Sequence, residues 1–175
     1  MSTTKPNGRI ILYTGNGKGK TTAAIGLALR AFGHGMRVCV IQFIKSNSAT
    51  GEHKAISQLG DRFQIHAMGR GFVLKPCGTP EDRAAAKDAI ALARSKMNDC
   101  DMLILDEVNC AVDLKLLDAG EIVELVKSRP PHLHLVMTGR AAPQALIELA
   151  DTATEMKNIK HAGDSGSPAV NGIEC

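Results

Sequence analysis

Apolar positions along the chain fall into short runs separated by polar and glycine-rich stretches. Arg9 to Thr14 reads RIILYT, an apolar run that passes straight into glycines, as a buried parallel strand does. Lys20 to Phe32, KTTAAIGLALRAF, is rich in Ala and Leu and predicts a helix, stopped by the GHG of Gly33 to Gly35. RVCVIQFIK, Arg37 to Lys45, predicts a second strand, and the polar loop SNSATGE leads to a short helix over His53 to Leu59. RFQIHAM, Arg62 to Met68, predicts a third strand. GRGFVLKPCGTP after it is a loop that carries apolar residues. Thr79-Pro80-Glu81 has the form of a helix start, with Thr as cap, Pro first and acids in the first turn, and the helix should reach about Met97. DMLILDE, Asp101 to Glu107, predicts a fourth strand. Leu117 to Ser128 predicts a helix ended by Pro130-Pro131, HLHLVMTG a fifth strand, Ala142 to Ala150 a helix and ATEMKNI a sixth strand.

Strand and helix alternate, with no internal repeat or linker. The expected class is α/β: a single-domain, open, mostly parallel sheet of about six strands with helices on both faces. The domain should span residues 9–159, after a short flexible N-terminus, 1–8, and before a Gly/Ser/Pro-rich C-terminal tail, 160–175. Such sheets bind ligands at the carboxyl ends of their strands. The loops after the first, third, fourth and fifth strands are therefore where chemistry is expected.

Composition narrows the partners. The 175 residues suffice for one domain with a substantial core. Lys plus Arg number 21 against 18 Asp plus Glu, too small an excess to imply nucleic acid. Trp is absent and Tyr13 is the only tyrosine, so stacking platforms for single strands are scarce. Cys39, Cys77, Cys100, Cys110 and Cys175 fit neither a zinc site nor a disulfide framework and are expected to be free thiols. MSTTKPNGR lacks the apolar core of a secretory signal, and no apolar run approaches a membrane span. A soluble, reduced, cytoplasmic protein without nucleic-acid or membrane partners is expected.

The chemistry lies in TGNGKGKTT. The usual phosphate loop reads G-x-x-x-x-G-K-[ST]; here its first position is Thr14, and the glycine comes one place late, at Gly15. The setting between an apolar strand and a helix is nonetheless the one the motif requires. Gly15, Asn16, Gly17, Lys18 and Gly19 would let backbone N–H groups curl round an anion, with the helix N-terminus aimed at the same place. Lys20 supplies a full charge, the Thr21 hydroxyl can ligate Mg²⁺, and Thr22 follows on the same turn. Asp106 and Glu107 emerge at the end of MLILDE, where one acid can hold Mg²⁺ and the other bind metal or act as a base. Arg140 of VMTGR emerges at the rim where phosphates should lie, or is a surface arginine. Arg30 is a further candidate for ATP, although it sits roughly 14 Å beyond Thr21 at helical rise.

In order along the chain, YTGNGKGKTTAAIGLALRAFGHG, VIQFIK, GRGF, LILDE, TGR, ELAD and the TEM…KH segment resemble the P-loop-type ATP:corrinoid adenosyltransferases over nearly the whole sequence. The resemblance implies a P-loop (RecA-like) domain in which the offset glycine is normal. It implies transfer of the 5′-deoxyadenosyl group of ATP to the Co(I) centre of a corrinoid with release of triphosphate, in adenosylcobalamin synthesis or salvage. ATP is then a co-substrate, Mg²⁺ or Mn²⁺ the metal, a homodimer the expected assembly, and a reductant such as a flavoprotein the expected partner. Lys20 and Glu107 would be catalytic. Thr21, Asp106 and Glu107 would form the metal site, with Glu107 a ligand rather than a base because cobalt brings no proton. The GRGFVLKP loop resembles the corrinoid segment, where an aromatic pair closes under the corrin. Phe72 matches the first aromatic, and Leu74 stands where Trp is usual. The GSPAVN of the tail departs from the family ending, and no catalytic role is assigned there. The alternative is a RecA-like ATPase or nucleotide kinase sharing Lys20, Thr21, Asp106 and Glu107, with Glu107 as a base for water.

Overall fold

The computed structural model describes residues 7–46, 50–71, 73 and 77–173. The strands are β1 (Ile10–Thr14), β2 (Val38–Gln42), β3 (Phe63–Ala67), β4 (Met102–Asp106), β5 (His134–Thr138) and β6 (Thr152–Glu155). They form one sheet in the order β3-β2-β4-β5-β1-β6. Every pairing is parallel, so the sheet is parallel throughout rather than mostly so. β5 lies between β1 and β4, which matters below: a side chain at its carboxyl end reaches both.

The helices are α1 (Lys20–Gly33), α2 (Gly51–Ile56), α3 (Pro80–Lys96), α4 (Val108–Asp113), α5 (Ala119–Lys127) and α6 (Gln144–Leu149). Strand alternation sends Val38, Val40, Met102, Ile104 and Val136 to one face, under α1 and α2. Cys39, Ile41, Leu103, Leu105, Leu135 and Met137 face the other way, under α3, α4, α5 and α6. Both faces are covered, which is why these strands read as continuous apolar runs. α1 turns Ala24, Ala28 and Ala31 to the sheet, spaced for one helical face, and their small side chains allow close approach.

The expected helix starts are realised in detail. Thr79 caps α3, its hydroxyl accepting from Asp82 N–H while the Asp82 carboxylate accepts from Thr79 N–H, with Pro80 in the first turn. Asp118 and Glu121 form the same reciprocal cap on α5. The short helix after β2 lies earlier than expected, over α2 rather than His53 to Leu59, and the sixth strand ends at Glu155. α4 is an unexpected element. It follows β4 directly through Glu107, which takes the left-handed conformation with φ 63°. No helix among the described residues is long and apolar enough to cross a membrane.

Candidate active site

The displaced glycine of the phosphate loop has a steric cause. Thr14 is still within β1, and its hydroxyl accepts from Ala142 N–H at 3.2 Å. Gly15 follows with φ 89°, where a Cβ would stand 2.5 Å from the Met156 carbonyl oxygen. At Gly17 a Cβ would stand 2.8 Å from the backbone of Lys157. The loop thus lies against the chain leaving β6, and Gly17 N–H donates to Met156 O at 2.7 Å. That N–H is therefore bonded within the fold. Lys20 Nζ donates to the carbonyls of Gly15 (2.7 Å) and Gly17 (2.6 Å), gathering acceptors behind the loop. The free N–H groups at the start of α1 then face the cleft with the positive end of the helix.

Behind the loop is a buried polar knot. Asp106, wholly buried, accepts from Thr21 Oγ1 at 2.8 Å and Thr138 Oγ1 at 2.7 Å on one carboxylate oxygen. Its other oxygen accepts from Gln42 Nε2 at 3.0 Å. Gln42 and Asp106 are register partners on β2 and β4, so the contact is built into the sheet. Gln42 Oε1 in turn lies 2.8 Å from Nε2 of His53 on α2. Thr138 also accepts from the backbone N–H of Glu107, fixing the left-handed turn that carries its side chain into the cleft. A left-handed non-glycine residue costs about 1–2 kcal/mol, which that bond offsets in part.

These donors suit a hard cation. Thr21 directs its proton to Asp106, so the lone pairs of its oxygen are open to a metal, and Glu107 adds a carboxylate in the same cleft. Mg²⁺ characteristically takes one or two protein oxygens and completes its shell with phosphate and water. Asp106 already accepts from three donors, the Thr21 and Thr138 hydroxyls and the Gln42 amide. Burial, then the neighbouring Asp106 charge, pushes the Glu107 carboxyl above its ordinary range. Burial, then Arg140, lowers the Lys20 ammonium.

The cleft at the head of the sheet is open and holds about 830 Å³. It is lined by the loop from Asn16 to Thr22, by Glu107 and by Arg140, as the sequence suggests. Arg140 is held by its backbone N–H, which donates to Cys110 Sγ at 3.3 Å. Arg30 is not brought to the site. It stands exposed in the last turn of α1, at the far end of the helix from the loop. Phe72 and Leu74 lie outside the described residues.

Several cleft residues carry no signal in a motif reading. The loop after β2, not expected to contribute, supplies Lys45 and Glu52, joined at 2.7 Å. Burial would raise the Glu52 carboxyl, but the Lys45 hydrogen bond and charge, its own backbone N–H and the Thr50 hydroxyl together bring it down to about 2. The Lys45 ammonium is raised: burial lowers it, and its bond to Glu52 and the charges of Asp106 and Glu107 reverse that. The tail also lines the cleft, through Asn158, His161, Asp164 and Ile173 among others. His161 and Asp164 cap a short 3₁₀ turn reciprocally, and Lys18 Nζ donates to Ile173 O at 2.8 Å. Thr138 is part of the TGR string, though nothing in the string marks the threonine itself.

The family model for ATP:corrinoid adenosyltransferase BtuR/CobO/CobP matches residues 6–175. The chain is 42% identical to a corrinoid adenosyltransferase of Sinorhizobium sp, over 98% of this chain and 82% of that protein. It is 40% identical to a corrinoid adenosyltransferase of Escherichia coli (strain K12), over 95% of this chain and 85% of that protein. The fold is shared with the flagellar accessory protein FlaH from Methanocaldococcus jannaschii at TM-score 0.60 and 11% identity, covering 91% of this chain and 75% of that one.

Proposed function

The chain belongs to the ATP:corrinoid adenosyltransferases, and from that premise we propose how its cleft performs their reaction. The reaction joins the 5′-carbon of ATP to the Co(I) centre of a corrinoid and forms adenosylcobalamin or a related coenzyme. The cobalt electron pair makes the Co–C bond, the C5′–O bond breaks, and the triphosphate leaves with the bonding pair. No proton is transferred, so the site needs no general base. It needs positive charge held where the triphosphate departs.

The single observation that carries this reading is the convergence of Lys20, Arg140 and the α1 N-terminus on the cleft, beside Thr21 and Glu107. Lys20 and Arg140 neutralise the leaving triphosphate. Thr21 and Glu107 hold Mg²⁺ or Mn²⁺, which supplies further charge to the phosphate oxygens. Asp106 orients Thr21, and Thr138 orients Glu107. The loop with Phe72 and Leu74 takes the corrinoid. Support comes from its described end, where Gly69 N–H donates to Lys45 O (3.0 Å) and Gly71 N–H to Ile44 O (2.8 Å). Those bonds tie the loop to the residue that lines the nucleotide cleft.

The reading includes a homodimer, an external reductant such as a flavoprotein to deliver Co(I), and a cytoplasmic setting. Free thiols at Cys39, Cys77, Cys100 and Cys110 accord with a reducing compartment. The test is the identity of the phosphate product when ATP and a reduced corrinoid are supplied. Triphosphate is expected; ADP with orthophosphate would return the chain to the ATPases.

A further inference from the structure

A buried carboxylate is held in one orientation only when both of its oxygens are bonded. Oδ1 of Asp106 has the Thr21 and Thr138 hydroxyls, and Oδ2 has Gln42 Nε2. Gln42 is itself fully buried on β2, so no water competes for its amide. Its orientation is forced from both ends. Nε2 must face Asp106, because a flipped amide would set its oxygen against a carboxylate oxygen. Oε1 then faces His53, and since that oxygen only accepts, His53 Nε2 must carry the hydrogen. His53 is 7% exposed and sits on α2 next to Glu52, the residue that holds Lys45 at the cleft.

An unbroken chain of hydrogen bonds therefore runs from α2 to the first turn of α1: His53, Gln42, Asp106, Thr21. Thr21 can offer its oxygen lone pairs to a cation only while its proton points at Asp106. We propose that Gln42 and His53 are positioning residues for the divalent cation of the nucleotide complex, holding Asp106 in the orientation that turns the Thr21 oxygen toward the metal. This rests on the reading of Thr21 as a metal ligand. Neither residue lines the cleft. Their loss should separate metal-dependent from metal-independent ATP binding, which a general packing defect would not do.

The measurement is equilibrium binding of ATP by calorimetry to the intact protein, once with Mn²⁺ and once in excess EDTA. Bound Mn²⁺ is counted independently from the loss of its free-ion paramagnetic resonance signal. Gln42→Leu should weaken Mn²⁺–ATP binding by about 10- to 100-fold, the usual cost of removing an outer partner of a metal ligand. Binding of metal-free ATP should stay unchanged. His53→Phe, which removes the donor to Gln42, should lower the Mn²⁺ preference in the same direction. His53→Gln, which keeps an N–H near the Nε2 position, should restore it. Thr21→Val is the control. If Thr21→Val abolishes the Mn²⁺ preference while Gln42→Leu and His53→Phe retain it, the positioning role is overturned and the ligand reading stands. If all three retain it, Thr21 is no ligand and both readings fall together.

Discussion

The Thr138 hydroxyl donates to Asp106 at 2.7 Å and accepts from the backbone N–H of Glu107 at 2.8 Å, so the two acids of the LDE string are coordinated from a neighbouring strand. Thr138→Val keeps the shape and removes both bonds. It should cost about 1–3 kcal/mol of stability through the unpaired buried groups. Turnover should fall by about 10- to 100-fold, as for the loss of an outer-shell partner. Thermal unfolding and steady-state adenosylation measure the two effects. Full activity in the valine variant would mean that the Glu107 turn holds itself.

Lys20→Ala should leave the fold intact and lower adenosylation by about 10²–10³, the usual consequence of removing one preorganised electrostatic donor. Single-turnover kinetics with pre-reduced corrinoid isolates the chemical step. Near-full activity would show that the triphosphate is held elsewhere.

Glu107→Gln distinguishes a metal ligand from a base. A weakened ligand is compensated in part by raising Mg²⁺ or Mn²⁺, whereas a missing proton acceptor is not. Activity should recover across a metal titration; a flat loss would support the water-activating reading.

Thr14→Gly would restore the usual phosphate-loop pattern and should bring no gain. Thr14 ends β1 and accepts from Ala142 N–H, so the change removes that bond and loosens a strand. A loss of about 1 kcal/mol in stability with unchanged ATP affinity is expected. Gly15→Ala, by contrast, meets the Met156 carbonyl oxygen at a positive φ and should impair ATP binding itself. Calorimetric titration of both variants with ATP decides the matter.

The Lys45–Glu52 pair gives a pH dependence with a definite sign. Its carboxyl lies at about 2 in the fold against an ordinary 4.5, because burial is outweighed by the Lys45 bond and charge together with the backbone and Thr50 hydrogen bonds. A lowered acid contributes stability in full above the unfolded value and loses it as pH falls. The difference in melting temperature between the native chain and Glu52→Gln should therefore be constant above about pH 4.5 and shrink toward pH 2. A difference independent of pH through that window would show that the pair adds nothing.

The strands were legible because parallel strands buried on both faces are written in unbroken apolar runs, as in LILD of β4. α3 was legible from its Thr79-Pro80 start, and the phosphate loop from its GKGKTT string set between an apolar strand and a helix. α4 was not, since it has six residues, no side-chain cap, and before it Glu107 in a left-handed conformation that the tertiary bond to Thr138 supports. Gln42 and His53 were hidden for a related reason. Gln42 meets Asp106 across 64 residues of sequence, His53 joins only through Gln42, and the β2–β4 register brings the chain of contacts together. The cleft-lining tail shows no apolar period, so its order depends on caps and on Lys18 rather than on a core.

Among the described residues β1 is paired only by β5 and β6, and the phosphate loop that follows it lies against Met156 and Lys157. β1 therefore has no sheet partner until β5 and β6, which place Leu135 beside Ile10 and Thr152 beside Ile11, are available to it. Contacts of such long sequence separation form late and slowly. The phosphate loop is thus completed by segments far from it in sequence, and its shape depends on contacts that no local stretch of chain can supply.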